Sequence, residues 1–170
     1  RSRRDAHVRV GRRLRGRLVT RIAVSGHRGL TPDVVALVDH AIRAELATED
    51  PGSLVGISCL ADGADQIFAR AVLDAGGRLE VVVPARAYRD GLPAEAHAEY
   101  DQLLARASAV TRLDRDESTS DAHMAASITM LETADRLLAV WDGKPSRAPG
   151  GTADVVDHAR NDGMPLTVVW

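Results

Sequence analysis

From residue 21 onward the chain alternates short, unbroken apolar runs with longer stretches of helical periodicity, and few folds accept that pattern. The runs fall at residues 21–25, 54–58, 79–83, 109–113, 136–141 and 166–169. They are too short for buried helices, and they lack polar alternation, as strands covered on both faces do. Between them, Thr31-Pro32-Asp33 marks a helix start, and Val34, Val35, Val38, Ala41, Ile42 and Leu46 recur on one helical face. Further helices are expected at 63–75, at 93–107 with Ala96, Tyr100, Leu103, Leu104 and Ala107 inward, at 122–134, and at 152–161 with Val155, Val156 and Ala159 inward. Residues 85–92, 114–121 and 142–151 read as loops, the second of them polar and mobile. Strands alternating with helices predict an α/β, Rossmann-like fold: a mostly parallel central sheet of about six strands with helices on both faces. Right-handed crossovers then carry the strand carboxyl ends to one edge, where ligands bind near the point at which strand order reverses.

Charge divides the chain unevenly. Residues 1–17 hold eight arginines against one acid, Asp5, while the other 153 residues carry 14 basic and 23 acidic groups. The arm reads as a solvated, flexible tail or as a contact for phosphates or an acidic partner. Residues 18–170 form the expected single domain. Its acidity and the 3% aromatic content exclude a general nucleic-acid platform outside the arm. The one cysteine, Cys59, cannot form an internal disulfide, and no apolar run approaches a membrane span. A cytoplasmic protein without membrane attachment is the expectation.

Three junctions between an apolar run and the next helix carry the candidate site. The first is Ser25-Gly26-His27-Arg28-Gly29, where glycines let backbone approach a ligand and Arg28 can pair with phosphate. The second is Ala61-Asp62-Gly63-Ala64-Asp65, where Asp62 or Asp65 can accept from sugar hydroxyls or cap the helix. The third runs from Trp141-Asp142-Gly143-Lys144 to Pro149-Gly150-Gly151-Thr152. There a helix start offers amides to an anion and Lys144, the sole lysine, offers charge. Asp154, one turn further on, faces the ligand or serves the helix dipole. Neither G-x-G-x-x-G nor a Walker A loop occurs, the six histidines show no metal-ligand spacing, and no cofactor is implied. His27 is the one histidine placed for ligand contact. Cys59 reads as packing, and Ser25 lacks the partners of a hydrolase triad.

On Val24-Ser25-Gly26-His27-Arg28, Gly63-Ala64-Asp65, and Ala134-Asp135 through Pro149-Gly150-Gly151-Thr152, the chain resembles the SLOG superfamily. That group includes the LOG phosphoribohydrolases, DNA-processing protein A and the ligand-sensing region of certain TRP channels. The resemblance covers about residues 21–170. It implies a Rossmann-like domain that binds nucleotides or nucleotide-derived ligands, and pairing of two copies through helices. LOG enzymes cleave the N-glycosidic bond of modified adenosine monophosphates and carry P-G-G-x-G-T-x-x-E with a catalytic Glu. Here Gly151 runs directly into Thr152, Val155 stands where the Glu would be, and Asp154 is the nearest carboxylate. The LOG stretch Met-x-x-Arg-Lys has no counterpart on the helix of Met124 and Met130.

Three functions follow as expectations. The first is binding or sensing of a nucleotide-derived ligand by Ser25, Gly26, His27, Arg28, Asp62, Gly63, Asp65, Trp141, Asp142, Lys144, Gly150, Gly151 and Thr152. The second is N-glycoside hydrolysis with Asp154 or Asp65 beside the anomeric carbon. The third is an interaction module whose basic arm meets nucleic acid or protein.

Overall fold

A computed structural model describes residues 13–14 and 17–170, with side chains from Leu18 onward. Most of the basic arm therefore lies outside the described residues. Within it, β1 (Arg13–Leu14) pairs antiparallel with β2 (Arg17–Leu18).

The remaining elements are β3 (Thr20–Gly26), α1 (Pro32–Leu46), β4 (Leu54–Ser58), α2 (Ala64–Asp74), β5 (Arg78–Val83), α3 (Ala94–Ala105), β6 (Ala109–Arg112), α4 (Ser120–Thr133), β7 (Arg136–Val140), α5 (Thr152–Asn161) and β8 (Leu166–Val169). The six strands from β3 to β8 form one all-parallel sheet in the order β6-β5-β4-β3-β7-β8. After β3 the chain works outward through β4 and β5 to β6, then returns across the sheet to place β7 on the other side of β3. Strand order reverses there, so the connections leaving β3 and β7 diverge and open a crevice between them. This is the expected α/β Rossmann-like architecture.

Side-chain alternation along β3 and β7 divides the core between two faces. Ile22, Val24, Leu138 and Val140 pack with Val38, Ile42 and Phe68 of α1 and α2. Ala23, Ile57, Leu137 and Ala139 pack with Met130, Leu131, Val155 and Val156 of α4 and α5. Burial of such apolar surface is the main force holding the layers together. On the α4 side, Arg21 reaches over β4 to Glu80 of β5 in a two-pronged ion pair of 3.0 and 2.6 Å, and its Nε donates to Thr133 O.

Four local readings need correction. Thr31 occupies the cap position of α1, but its hydroxyl makes no cap bond. The 109–113 run forms β6, yet Ala109–Arg112 are all exposed because β6 is an edge strand. Leu104 and Ala107 are only partly buried beside the core. Residues 114–121, read as mobile, are tied down. Arg86 and Ala87 N–H donate to Arg115 and Asp116 carbonyls, and the Arg86 side chain pairs with Asp114 and Asp116. Within that segment Thr119 caps α4 by accepting from Ala122 N–H at 3.2 Å, so the helix starts two residues before 122.

Candidate functional site

At the carboxyl edge of the sheet the three junctions enclose a single crevice of about 870 Å³. Ligand pockets commonly hold about 300–1,000 Å³. Ser25, Gly26, His27 and Arg28 line it from the β3–α1 turn, and Asp65 from the start of α2. Trp141, Asp142, Lys144, Gly150, Gly151 and Thr152 line it from the β7–α5 connection. Asp62, Gly63 and Asp154 are not among its lining residues.

Two of the glycines hold the turns together. A Cβ on Gly26 would lie 2.5 Å from Ala64 Cβ and 2.7 Å from Val140 Cβ, so β3, α2 and β7 meet at this point. Gly63 has φ +87, and a Cβ there would lie 2.6 Å from His27 O. The first two junctions thus touch through backbone, and Ala64 N–H donates to His27 O at 3.2 Å. The close approach that glycine permits at 63 is to protein.

Asp62 sits beneath Arg28. Its Oδ1 accepts from Arg28 Nε at 2.7 Å and its Oδ2 from Gly29 N–H at 3.1 Å. This two-point hold aims the guanidinium, and Arg28 is the cation whose field reaches Asp65, Tyr88 and His123. His27 links the first junction to the third, its Nε2 accepting from Asp142 N–H at 3.1 Å, and its ring meets Trp170 edge-on at 5.1 Å. Lys144 N–H donates to Asp142 Oδ1 at 3.0 Å, and this bond above all holds the Asp142 carboxyl below the usual range. Trp141 Nε1–H donates to Lys144 O, which closes the turn from the other side.

Asp154 serves its own loop. Its Oδ2 accepts from Gly150 N–H at 2.7 Å, while Ser146 Oγ accepts from Asp154 N–H at 3.3 Å. The N–H groups of Thr152 and Ala153 find no acceptor among the described residues. They are the unsatisfied donors of a helix start, and they open on the crevice that Thr152 and Ala153 line.

Asp65 lies on the floor. It is 7% exposed, and burial pushes its carboxyl up to about 7 against the opposing effect of Ala61 N–H, Arg28 and Cys59 N–H. Ala61 N–H reaches Oδ2 at 3.3 Å. Beside it Leu60 holds φ +59, a left-handed conformation that costs a leucine about 1–2 kcal/mol. Ser58 Oγ accepts from Leu60 N–H and Gln66 Nε2 donates to Leu60 O, which keeps the strained turn in place.

Sequence reading missed several lining residues, His123, Tyr88, Ser146, Arg147 and Trp170 among them. His123 enters from α4, with Nε2 2.7 Å from Ser118 Oγ and its ring edge-on to Tyr88 at 5.5 Å. Burial, then Arg28, lowers its pKa. Burial raises the Cys59 thiol, and Cys59 Sγ lies 3.7 Å from Met130 Sδ, a packing contact. Nothing in the local pattern around His123 distinguishes it from the other helix histidines. No group of three or more metal-ligating side chains gathers among the described residues, and none of their helices is long and apolar enough to cross a membrane.

No family model matches the chain, and no curated protein matches it significantly. Solved structures do. The protein TM1055 superposes with a TM-score of 0.56 at 18% identity, over 87% of this chain and 72% of that one. DNA processing protein A from Helicobacter pylori, described with a single-stranded DNA binding mode, gives 0.64 at 19% identity, over 88% of this chain and 64% of its own. The molybdenum cofactor carrier protein of Chlamydomonas reinhardtii gives 0.55 at 15%, over 88% and 76%. At these identities the likeness is one of fold, and the chain shares with them a Rossmann-like α/β architecture. It spans less than two thirds of the DNA processing protein.

Proposed function

We propose that the protein binds a nucleotide or nucleotide-derived ligand, with phosphate between Arg28 and the amino end of α5. The observation that carries this reading is the meeting, in one crevice, of an aimed guanidinium with the unsatisfied Thr152 and Ala153 amides. Each is a weak anion site alone; together they supply charge-assisted and dipolar attraction to the same group. One structure of similar fold is described with single-stranded DNA, a polymer of phosphates, and another as a molybdenum cofactor carrier, and binding of an anionic ligand is in keeping with both. Ser25, His27 and Lys144 are further contacts in this reading. Asp62 acts through Arg28, while Gly63 and Asp154 shape the turns.

Thermal-shift measurements with AMP, GMP, ADP-ribose and cyclic AMP test it, because a ligand that binds the native state raises its melting temperature. At least one nucleotide is expected to raise Tm, and Arg28→Ala to weaken its binding by about tenfold or more through loss of a charged hydrogen bond. No shift with any nucleotide would end the proposal.

A second reading, N-glycoside hydrolysis, draws on one observation. Asp65, a buried carboxyl with a pKa near neutrality, lines the crevice, as expected of an acid–base group. If base is released from a nucleoside monophosphate, chromatography should show the release lost in Asp65→Asn and retained in Asp154→Asn. The reverse order would return the catalytic role to Asp154.

A further inference from the structure

Beyond the phosphate contacts the crevice has a deeper lobe under the ends of β4 and β5. Its walls include Cys59, Pro84, Tyr88 and Met130, all buried and mainly apolar, and its polar groups include Asp65, His123 and the Tyr88 hydroxyl. Flat, soft walls of this kind suit a planar ring, and the few polar groups among them decide which ring. His123 has Nε2 engaged by Ser118 Oγ.

Asp65 carries the discrimination. A carboxylate offers about four lone-pair sites. Ala61 and Cys59 donate to it from the backbone, and no side chain among the described residues does. Acceptor capacity therefore remains, and a buried carboxylate whose acceptors go unfilled is costly. The group that fills it best is a ring edge with two adjacent N–H donors. Guanine has such an edge in N1–H and the 2-amino group. Adenine sets an acceptor beside its amino donor, cytosine does the same, and hypoxanthine offers one donor only.

We propose that this lobe is a ring subsite for a phosphorylated heterocycle of guanine type, read by the Asp65 carboxylate. The inference rests on the reading that phosphate lies at Arg28 and adds the identity of the base.

Isothermal titration calorimetry of the full chain with GMP, IMP and AMP tests it. A pH of about 8 keeps the carboxyl, which titrates at about 7, largely ionised. GMP and IMP differ only in the 2-amino group. GMP is expected to bind about tenfold more tightly than IMP, and IMP more tightly than AMP, because a site built for donors rejects the analogue that lacks one. Asp65→Asn should bring GMP and IMP to within about twofold of each other. Should that variant not fold, 1-methyl-GMP with the unaltered protein gives the same test, since methylation removes one donor and should cost about tenfold. Equal binding of GMP and IMP, a guanine preference that survives Asp65→Asn, or full affinity for 1-methyl-GMP would overturn the proposal. In those cases the phosphate reading stands, because nucleotides still bind. Failure of all three nucleotides to bind would overturn both.

Discussion

Exchanging Asp65 for Asn is expected to remove a fall in folding stability of about 4 kcal/mol between about pH 4 and pH 7. The carboxyl titrates at 3.8 in its unperturbed form and at about 7 in the fold, chiefly because burial penalises its charge. Over that interval the folded state holds a proton that the unfolded state has lost, so stability declines as pH rises and levels off above about 7. The groups around Asp65 bear on the curve. Arg28 favours the charged form and Asp62 opposes it. His123 acts with the opposite sign: its folded pKa is lowered, so it adds stability as pH rises toward its ordinary 6.5. The contrast between unaltered protein and Asp65→Asn separates these terms. Urea denaturation of both at about pH 4, 5.5, 7 and 8 measures it. Curves that run parallel would show that the Asp65 carboxyl is not held as a neutral acid. Above pH 7 the variant should be the more stable of the two, the pattern of a residue kept for its chemistry at a cost in stability.

Gly63→Ala should destabilise the fold by about 3–5 kcal/mol, the sum of an unfavourable backbone region and a steric clash. Gly63 has φ +87 and ψ −128, which favours glycine, and a Cβ there would stand 2.6 Å from His27 O and 3.1 Å from Arg28 Cα. Relief requires the turn carrying Arg28 to move, which stretches the Ala64 N–H to His27 O bond and loosens the aim of the guanidinium. Gly143→Ala is the matched control. Its φ of +78 is also positive, but nothing lies within 4 Å of its Cβ position. It should cost only about 1 kcal/mol. Urea midpoints of the two variants decide the matter. If they fall together, backbone preference alone explains Gly63 and the contact between the two turns carries no weight.

The candidate site was legible in part, and the division follows the physics. The turns at 25–29 and 141–152 announced themselves through glycine, proline and charge, because local backbone demands select those residues locally. The role of each carboxylate was not legible. Asp62, Asp65 and Asp154 sit in similar polar, glycine-flanked stretches, yet one aims Arg28, one lies buried on the crevice floor, and one caps Gly150. Only the distance to groups far along the chain separates them. Tyr88 and His123 were invisible for the same reason. Each belongs to an unremarkable stretch and reaches the crevice because β5 ends and α4 begins beside it.

By itself the sequence determined which segments become strands and which become helices, since periodicity and helix-end signals act over a few neighbours. The ends of β4 (Leu54–Ser58), α5 (Thr152–Asn161) and β8 (Leu166–Val169) coincide with those signals. Tertiary structure alone decided that β6 is an exposed edge and that the return from β6 to β7 opens a crevice beside β3. It alone buried the Asp65 carboxyl. Strand order, burial and electrostatic environment are properties of contacts between residues tens of positions apart, and no local pattern encodes them.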